Sequence, residues 1–228
     1  IGVRKCLMKI YNTLSKKKEE LKLIKPGCYT MYVCGITPYD SPHLGHLIAN
    51  LRFNVIRSYL NFSGLKGKFV QNITDIDDKI IKRAKEKGVS PKDLAEAFTK
   101  EYLKDMKTLG IDSVNKYAKA TSYIKEIINQ TKRLIDKGCA YKLDDGIYFD
   151  ISKFESYGKL SGRNTLQAED SISRIDYSKN KKNRGDFCLW RFNDNSDEPS
   201  WPSQFGKGRP GWHIEDTAIS EKFFGPQY

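Results

Sequence analysis

The sequence predicts an α/β fold built on one half of a doubly wound, nucleotide-binding sheet. Three observations predict it. Residues 8–87 read as strand, helix, strand, helix. The corner after the first strand carries Pro42-His43-Leu44-Gly45-His46, with two of the three histidines in the chain. In sheets of this kind, ligands bind at the carboxyl ends of the strands.

Each element has its own local signal. Residues 29–35 are β-prone, and Asp40-Ser41-Pro42 is a helix start with proline expected at the first helical position. Leu44, Ile48, Leu51 and Val55 then recur at helical spacing. A second strand is expected over about 68–73 and a second helix over about 77–87. Ser90-Pro91-Lys92-Asp93 opens another helix, with Ser90 as cap and an acid in the first turn, ending near Leu109-Gly110. A further helix begins at Thr121, places Ile124, Ile128, Thr131 and Ile135 on one face, and stops at Gly138. Asp145-Gly146 between residues 141–143 and 147–149 marks a β-hairpin. Residues 161–185 read as a polar connection and 186–192 as a strand returning to the parallel sheet. Residues 199–211, with three Pro and three Gly, read as an ordered loop.

At 228 residues with 39% hydrophobic content, the chain can bury a sizeable core. No apolar run approaches the ~18 residues of a membrane helix, and the first five residues lack the apolar segment of a signal peptide. The five cysteines, at 6, 28, 34, 139 and 188, are scattered and form no C-x-x-C. That argues against a disulfide framework and for a reducing cytoplasm. The formal net charge of +12 concentrates in stretches such as 16–18 and 179–184. It suits a nucleic-acid partner; a lysine-rich proteome would give the same excess.

The chemistry gathers at the corner. His43 and His46 are expected on one face of a first helical turn. Free backbone N–H groups and the positive end of the helix dipole there make a seat for phosphate. Gly45 lets a flat ring lie close to the backbone. A lone His-x-x-His pair reads as solvated capping residues, so the neighbouring blocks decide. They are Met31-Tyr32-Val33-Cys34-Gly35-Ile36-Thr37-Pro38-Tyr39-Asp40, Gln71-Asn72-Ile73-Thr74-Asp75-Ile76-Asp77-Asp78-Lys79-Ile80 and Gly208-Arg209-Pro210-Gly211-Trp212-His213-Ile214-Glu215. Asp75, Asp77 and Asp78 read as helix-start carboxylates rather than a metal cluster.

In this order, these blocks resemble the cysteinyl-tRNA synthetases, a family of class I aminoacyl-tRNA synthetases, from about Met8 to the end of the chain. The resemblance implies a Rossmann-like catalytic domain whose first half spans 8–89, a connective insertion over 90–185, and the start of an incomplete second half over 186–228. It implies activation of cysteine with ATP and Mg2+ to cysteinyl adenylate, then transfer to tRNA(Cys), by a cytoplasmic monomer. By resemblance, His43 and His46 are catalytic and bind ATP together with Gly35, Thr37 and Gly45. Cys34, Gly35, Thr74 and Trp212 are the expected cysteine site.

The family also implies a zinc ion that binds the substrate thiolate. Serine differs from cysteine by one atom, which a hydrophobic pocket separates poorly; zinc prefers sulfur. Cys34 matches one ligand. Where the family pattern carries a second cysteine, this chain has Asp216. Zinc on Cys34 and Asp216 is one reading, and thiol selection by shape and hydrogen bonds is the other. The family's remaining metal ligands, its Lys-Met-Ser-Lys-Ser-like loop and its tRNA-binding region are expected beyond Tyr228, so residues 1–228 alone are expected to be inactive. An aminosugar-specific cysteine ligase of the mycothiol pathway and a non-catalytic nucleotide- or RNA-binding paralogue remain as rivals.

Overall fold

The computed structural model describes residues 8–162, 180–193, 198–211 and 213–226. A hairpin of β1 (Lys9–Asn12) and β2 (Lys17–Glu20) comes first. Then β3 (Cys28–Val33), β4 (Lys66–Ile73) and β5 (Lys116–Lys119) form a parallel sheet in that order. The central strand, β4, is buried from Phe69 through Ile73. Burial on both faces is what a parallel strand under crossover helices requires. Those helices are α1 (Leu44–Phe62), α2 (Asp78–Lys87) and α3 (Pro91–Thr108).

Caps set the ends of these helices. Asp77 caps α2 by accepting from the Lys79 amide at 2.8 Å, and Gly88 ends it at φ 65°. Ser90 caps α3 through the Asp93 amide at 3.1 Å. The helix expected from Thr121 opens as a 3-10 turn, Ala120–Tyr123, and continues as α4 (Ile124–Asp136).

The second sheet is antiparallel: β6 (Ala140–Leu143), β7 (Gly146–Phe149), β8 (Phe187–Phe192) and β9 (Gly208–Pro210). Ile147, Leu189 and Trp190 bury against Ile127 of α4. The final helix, α5 (Ile214–Phe224), joins both cores. Its Ile214 and Ala218 lie in the antiparallel-sheet cluster, and its Ile219 packs on Val70 and Ala118 of the parallel sheet.

Several expectations are corrected. Strand 187–192 does not return to the parallel sheet; it pairs with β7 and β9, and α5 makes the return instead. β5, a third parallel strand, extends the first sheet past the boundary expected at 89/90. The 199–211 loop contains β9, with Trp201 bridged to Gly208. The hairpin turn is Asp144-Asp145, because Gly146 already pairs with Leu143. Helix α1 starts at Leu44, so Pro42 precedes it and His43 is its N-cap. Most of the polar 161–185 connection lies outside the described residues.

Candidate active site

The site forms where β3 and β4 end, at the start of α1, with α5 closing one side. His43 and His46 cap α1 reciprocally. The Gly45 amide donates to His43 Nδ1 at 3.1 Å, and the His43 amide donates to His46 Nδ1 at 3.3 Å. The two rings stack with centroids 3.8 Å apart. An imidazole nitrogen that accepts a hydrogen bond carries no proton, so in the neutral rings each Nε2 is the donor. Burial, then the neighbouring His43, lowers the His46 pKa and favours that neutral form. The amides expected to cradle phosphate are partly engaged: the Gly45 amide holds His43, and the His46 amide donates to the His43 carbonyl at 2.9 Å. The Nε2–H groups of the two imidazoles add donors to this turn beside any free amide.

Gly45 has a local reason to lack a side chain. A Cβ there would sit 2.9 Å from His43 Cε1, so the ring that lies close to the backbone is that of His43. At Gly35 a Cβ would fall 1.8 Å from the Asn72 carbonyl oxygen. The Gly35 amide donates to Asn72 Oδ1 at 2.5 Å, which locks the end of β3 to the end of β4. Thr37 lies in the loop that follows, and its carbonyl accepts from the Tyr39 amide at 2.9 Å.

The expected cysteine and metal residues meet through a polar network. Tyr32 O–H donates to Asp216 Oδ1 at 2.9 Å, and Asn72 Nδ2 donates to the same oxygen at 2.7 Å. Asn72 Nδ2 also reaches Thr74 Oγ1 at 3.2 Å, and Thr74 donates onward to Glu215 Oε1 at 3.0 Å. His213 Nδ1 lies 3.1 Å from Asp216 Oδ2. Cys34 stands beside Asp216; burial first, then that carboxylate, pushes its thiol up to about 11. The Asp216 carboxylate, in hydrogen-bond contact, helps raise the His213 pKa. His213 adopts φ 69°, a left-handed conformation uncommon for a non-glycine residue and concentrated at functional sites. Trp212, the expected wall of the pocket, lies outside the described residues. A cleft of about 660 Å³ opens beside Cys34, Tyr32 and Asp216, between α4 and α5. That volume is in the range of small-molecule sites.

A zinc ion does not fit the described donors by themselves. Cys34 and Asp216 are two ligands where a zinc site uses three or four from the protein. Both Asp216 oxygens already have partners. Among the described residues, no group of three or more His, Cys, Asp or Glu side chains could hold a metal. Asp75, Asp77 and Asp78 serve three separate contacts. Asp75 accepts from the Thr121 amide and hydroxyl at 2.9 and 2.6 Å, Asp77 caps α2, and Asp78 pairs with the buried Arg209.

Sequence reasoning named Asp216 as a candidate metal ligand but assigned no chemistry to Glu215 and did not foresee that α5 binds both into the Tyr32–Asn72–Thr74 network. Its polar first turn, Ile-Glu-Asp-Thr, follows a Pro- and Gly-rich stretch and gives little periodic signal. The Glu-Asp pair beside the histidine was the available clue.

A model of the tRNA synthetases class I (C) catalytic domain matches residues 20–228. The chain is 46% identical over 221 residues to the cysteine–tRNA ligase of Thermoplasma volcanium, covering 97% of this chain and 48% of that protein. It is 50% identical over 224 residues to the cysteine–tRNA ligase of Methanococcus maripaludis strain C7, covering 97% and 46%. To the cysteine–tRNA ligase of Pyrococcus horikoshii it is 48% identical over 221 residues, again covering 97% and 46%. The chain spans about half the length of the curated relatives it matches. The stacked histidine cap, the parallel sheet beneath it and the match over residues 20–228 lead to one assignment: the chain belongs to the class I (C) tRNA synthetase catalytic domain family.

Proposed function

We propose that the chain is part of a cysteine–tRNA ligase. The reaction assigned to it joins the cysteine carboxylate to the α-phosphorus of ATP. A carboxyl oxygen–phosphorus bond forms as the bridging oxygen–phosphorus bond to pyrophosphate breaks. The adenylate then passes its cysteinyl group to the terminal ribose of tRNA(Cys). Such a transfer needs little covalent help; it needs alignment and stabilisation of charge on the leaving pyrophosphate. The observation that carries this reading is the reciprocal cap, because both Nδ1 atoms accept from the backbone and both Nε2–H groups are left to donate.

In this reading Gly45 keeps His43 in place, while Gly35 and Thr37 line the approach to the phosphates with Mg2+ accompanying ATP. Cys34, Thr74 and Trp212 surround the amino acid. Zinc at Cys34 requires ligands from outside the described residues. The working assignment is a cytoplasmic monomer, as the family resemblance implies; separately, no helix among the described residues is long and apolar enough to cross a membrane.

The test is cysteine-dependent ATP–pyrophosphate exchange and tRNA charging by the intact gene product, with serine as competitor and metal quantified in the same sample. Cysteine-specific charging supports the assignment, and the metal content then decides whether Cys34 and Asp216 share a zinc ion. Adenylate formation without charging favours the aminosugar ligase. ATP binding without exchange favours a non-catalytic paralogue.

A further inference from the structure

We infer that Glu215 is the counter-charge that receives the α-ammonium group of the amino-acid substrate, beside the Thr74 hydroxyl; this rests on the amino-acid-activating role proposed above. Glu215 is 2% exposed, yet its Oε2 has no hydrogen-bond partner among the described residues. Its other oxygen accepts the Thr74 hydroxyl at 3.0 Å. A buried carboxylate normally has a cation or several donors, because desolvating it unpaired is expensive. Among the described residues no salt bridge reaches Glu215; His213 attracts it electrostatically but is bound to Asp216 Oδ2 at 3.1 Å. The carboxylates of Glu215 and Asp216 repel one another. The two carboxylates thus share one imidazole, and the pair is short of one positive charge.

The position fits an ammonium group. Thr74 follows β4 at the carboxyl edge of the parallel sheet, and its hydroxyl already points its hydrogen at Glu215. Cys34 directly follows the neighbouring strand, β3, and feels the charges of both Asp216 and Glu215. In cysteine the thiol and the ammonium sit on adjacent carbons, so one ligand can address Cys34 and Glu215 together. An ammonium group brings three donors, and one of them would satisfy Oε2. A metal ion is the weaker candidate, since the described residues offer no third donor.

The experiment uses the intact gene product and its Glu215→Gln variant. Calorimetry measures binding of cysteine and of 3-mercaptopropionate, which keeps the thiol and carboxylate but lacks the amine. The wild type should prefer cysteine. In the variant, cysteine affinity should fall by about 10- to 100-fold, the range for a charge-assisted hydrogen bond. Affinity for 3-mercaptopropionate and ATP should stay unchanged, and Glu215→Asp should recover part of the cysteine affinity. Unchanged cysteine binding overturns the inference, as does an equal loss for cysteine and 3-mercaptopropionate or a loss of ATP binding, since each makes Glu215 structural. A wild type that ignores cysteine but binds another amino acid, with the same loss in Glu215→Gln, keeps the ammonium site and removes the cysteine reading. A wild type that binds no amino acid removes both.

Discussion

His46 closes the α1 cap with Nδ1 and leaves Nε2 for a ligand, so its protonation affects both stability and chemistry. Its folded pKa lies below the ordinary 6.5, first from burial and then from His43. Between the lowered folded value and 6.5 the unfolded chain therefore binds a proton that the folded chain does not. Stability from this group is full above about 6.5 and is lost as pH falls below it. His46→Gln offers a side-chain oxygen to the same amide without titrating. Thermal unfolding from pH 7.5 to 5.5 should show a shallower acid-side loss in that variant than in wild type. Pyrophosphate exchange by the variant should fall by about 10²- to 10³-fold, the usual loss when one charge-stabilising donor is removed. Gly45→Ala separates folding from function in another way. Alanine in a helix ordinarily gains about 1 kcal/mol over glycine, and losing a side-chain N-cap costs about the same. The Cβ would crowd His43 at 2.9 Å. Stability should stay within about 0.5 kcal/mol on that balance, while exchange activity drops with the displaced ring.

At the scale of elements, a buried polar triad fixes the pose of α1. Tyr102 O–H on α3 lies 3.1 Å from Asn50 Oδ1 and 3.0 Å from Gln71 Oε1, and Gln71 Nε2 donates to Asn50 at 2.9 Å. Asn50 Nδ2 also holds the His46 carbonyl at 2.8 Å. Tyr102→Phe would leave buried acceptors without their hydroxyl and should cost about 1–3 kcal/mol by denaturant unfolding. The sequence does not announce this triad, since Asn, Gln and Tyr separated by 21 and 31 positions make no local pattern. It does announce what is local. The strand–helix corner, the Asp77 helix start, the Ser90 cap and the Gly138 stop were legible because each is decided within a few residues. β5 was not legible: Lys-Tyr-Ala-Lys has one fully buried side chain, and its strand conformation comes from pairing with β4. β8 was read as a strand but given the wrong sheet, because partner choice depends on distant residues in β7, such as Gly146 opposite Arg191 and Phe149 opposite Phe187. Likewise the site's histidines, Cys34 and Thr74 were named from their motifs, whereas Glu215 acquires its meaning from burial against Thr74.

For the whole molecule, the informative surface is the one the described residues leave bare. Leu44, Ile48, Leu51, Val55, Tyr59 and Phe62 run along one side of α1, each between 46% and 89% exposed. Among the described residues β3, the strand α1 follows, has a strand partner on one edge only, β4. An apolar stripe beside an open parallel edge is what an uncompleted α/β sheet leaves uncovered. The chain spans about half the length of its relatives, and the second half of the catalytic domain is the proposed cover. The difference is measurable at a single site. If the stripe were truly solvated, Leu51→Asp would change stability by no more than about 0.5 kcal/mol. If it is covered in the intact gene product, the same change places an unpaired charge in an apolar interface and should cost about 3 kcal/mol or more. Leu109, at the end of α3, is 49% exposed against 48% for Leu51 and lies off the stripe, so Leu109→Asp is the matched control. Denaturant unfolding of the intact product should find Leu51→Asp strongly destabilising and Leu109→Asp near neutral. Equal small effects would mean that α1 keeps its apolar side in water.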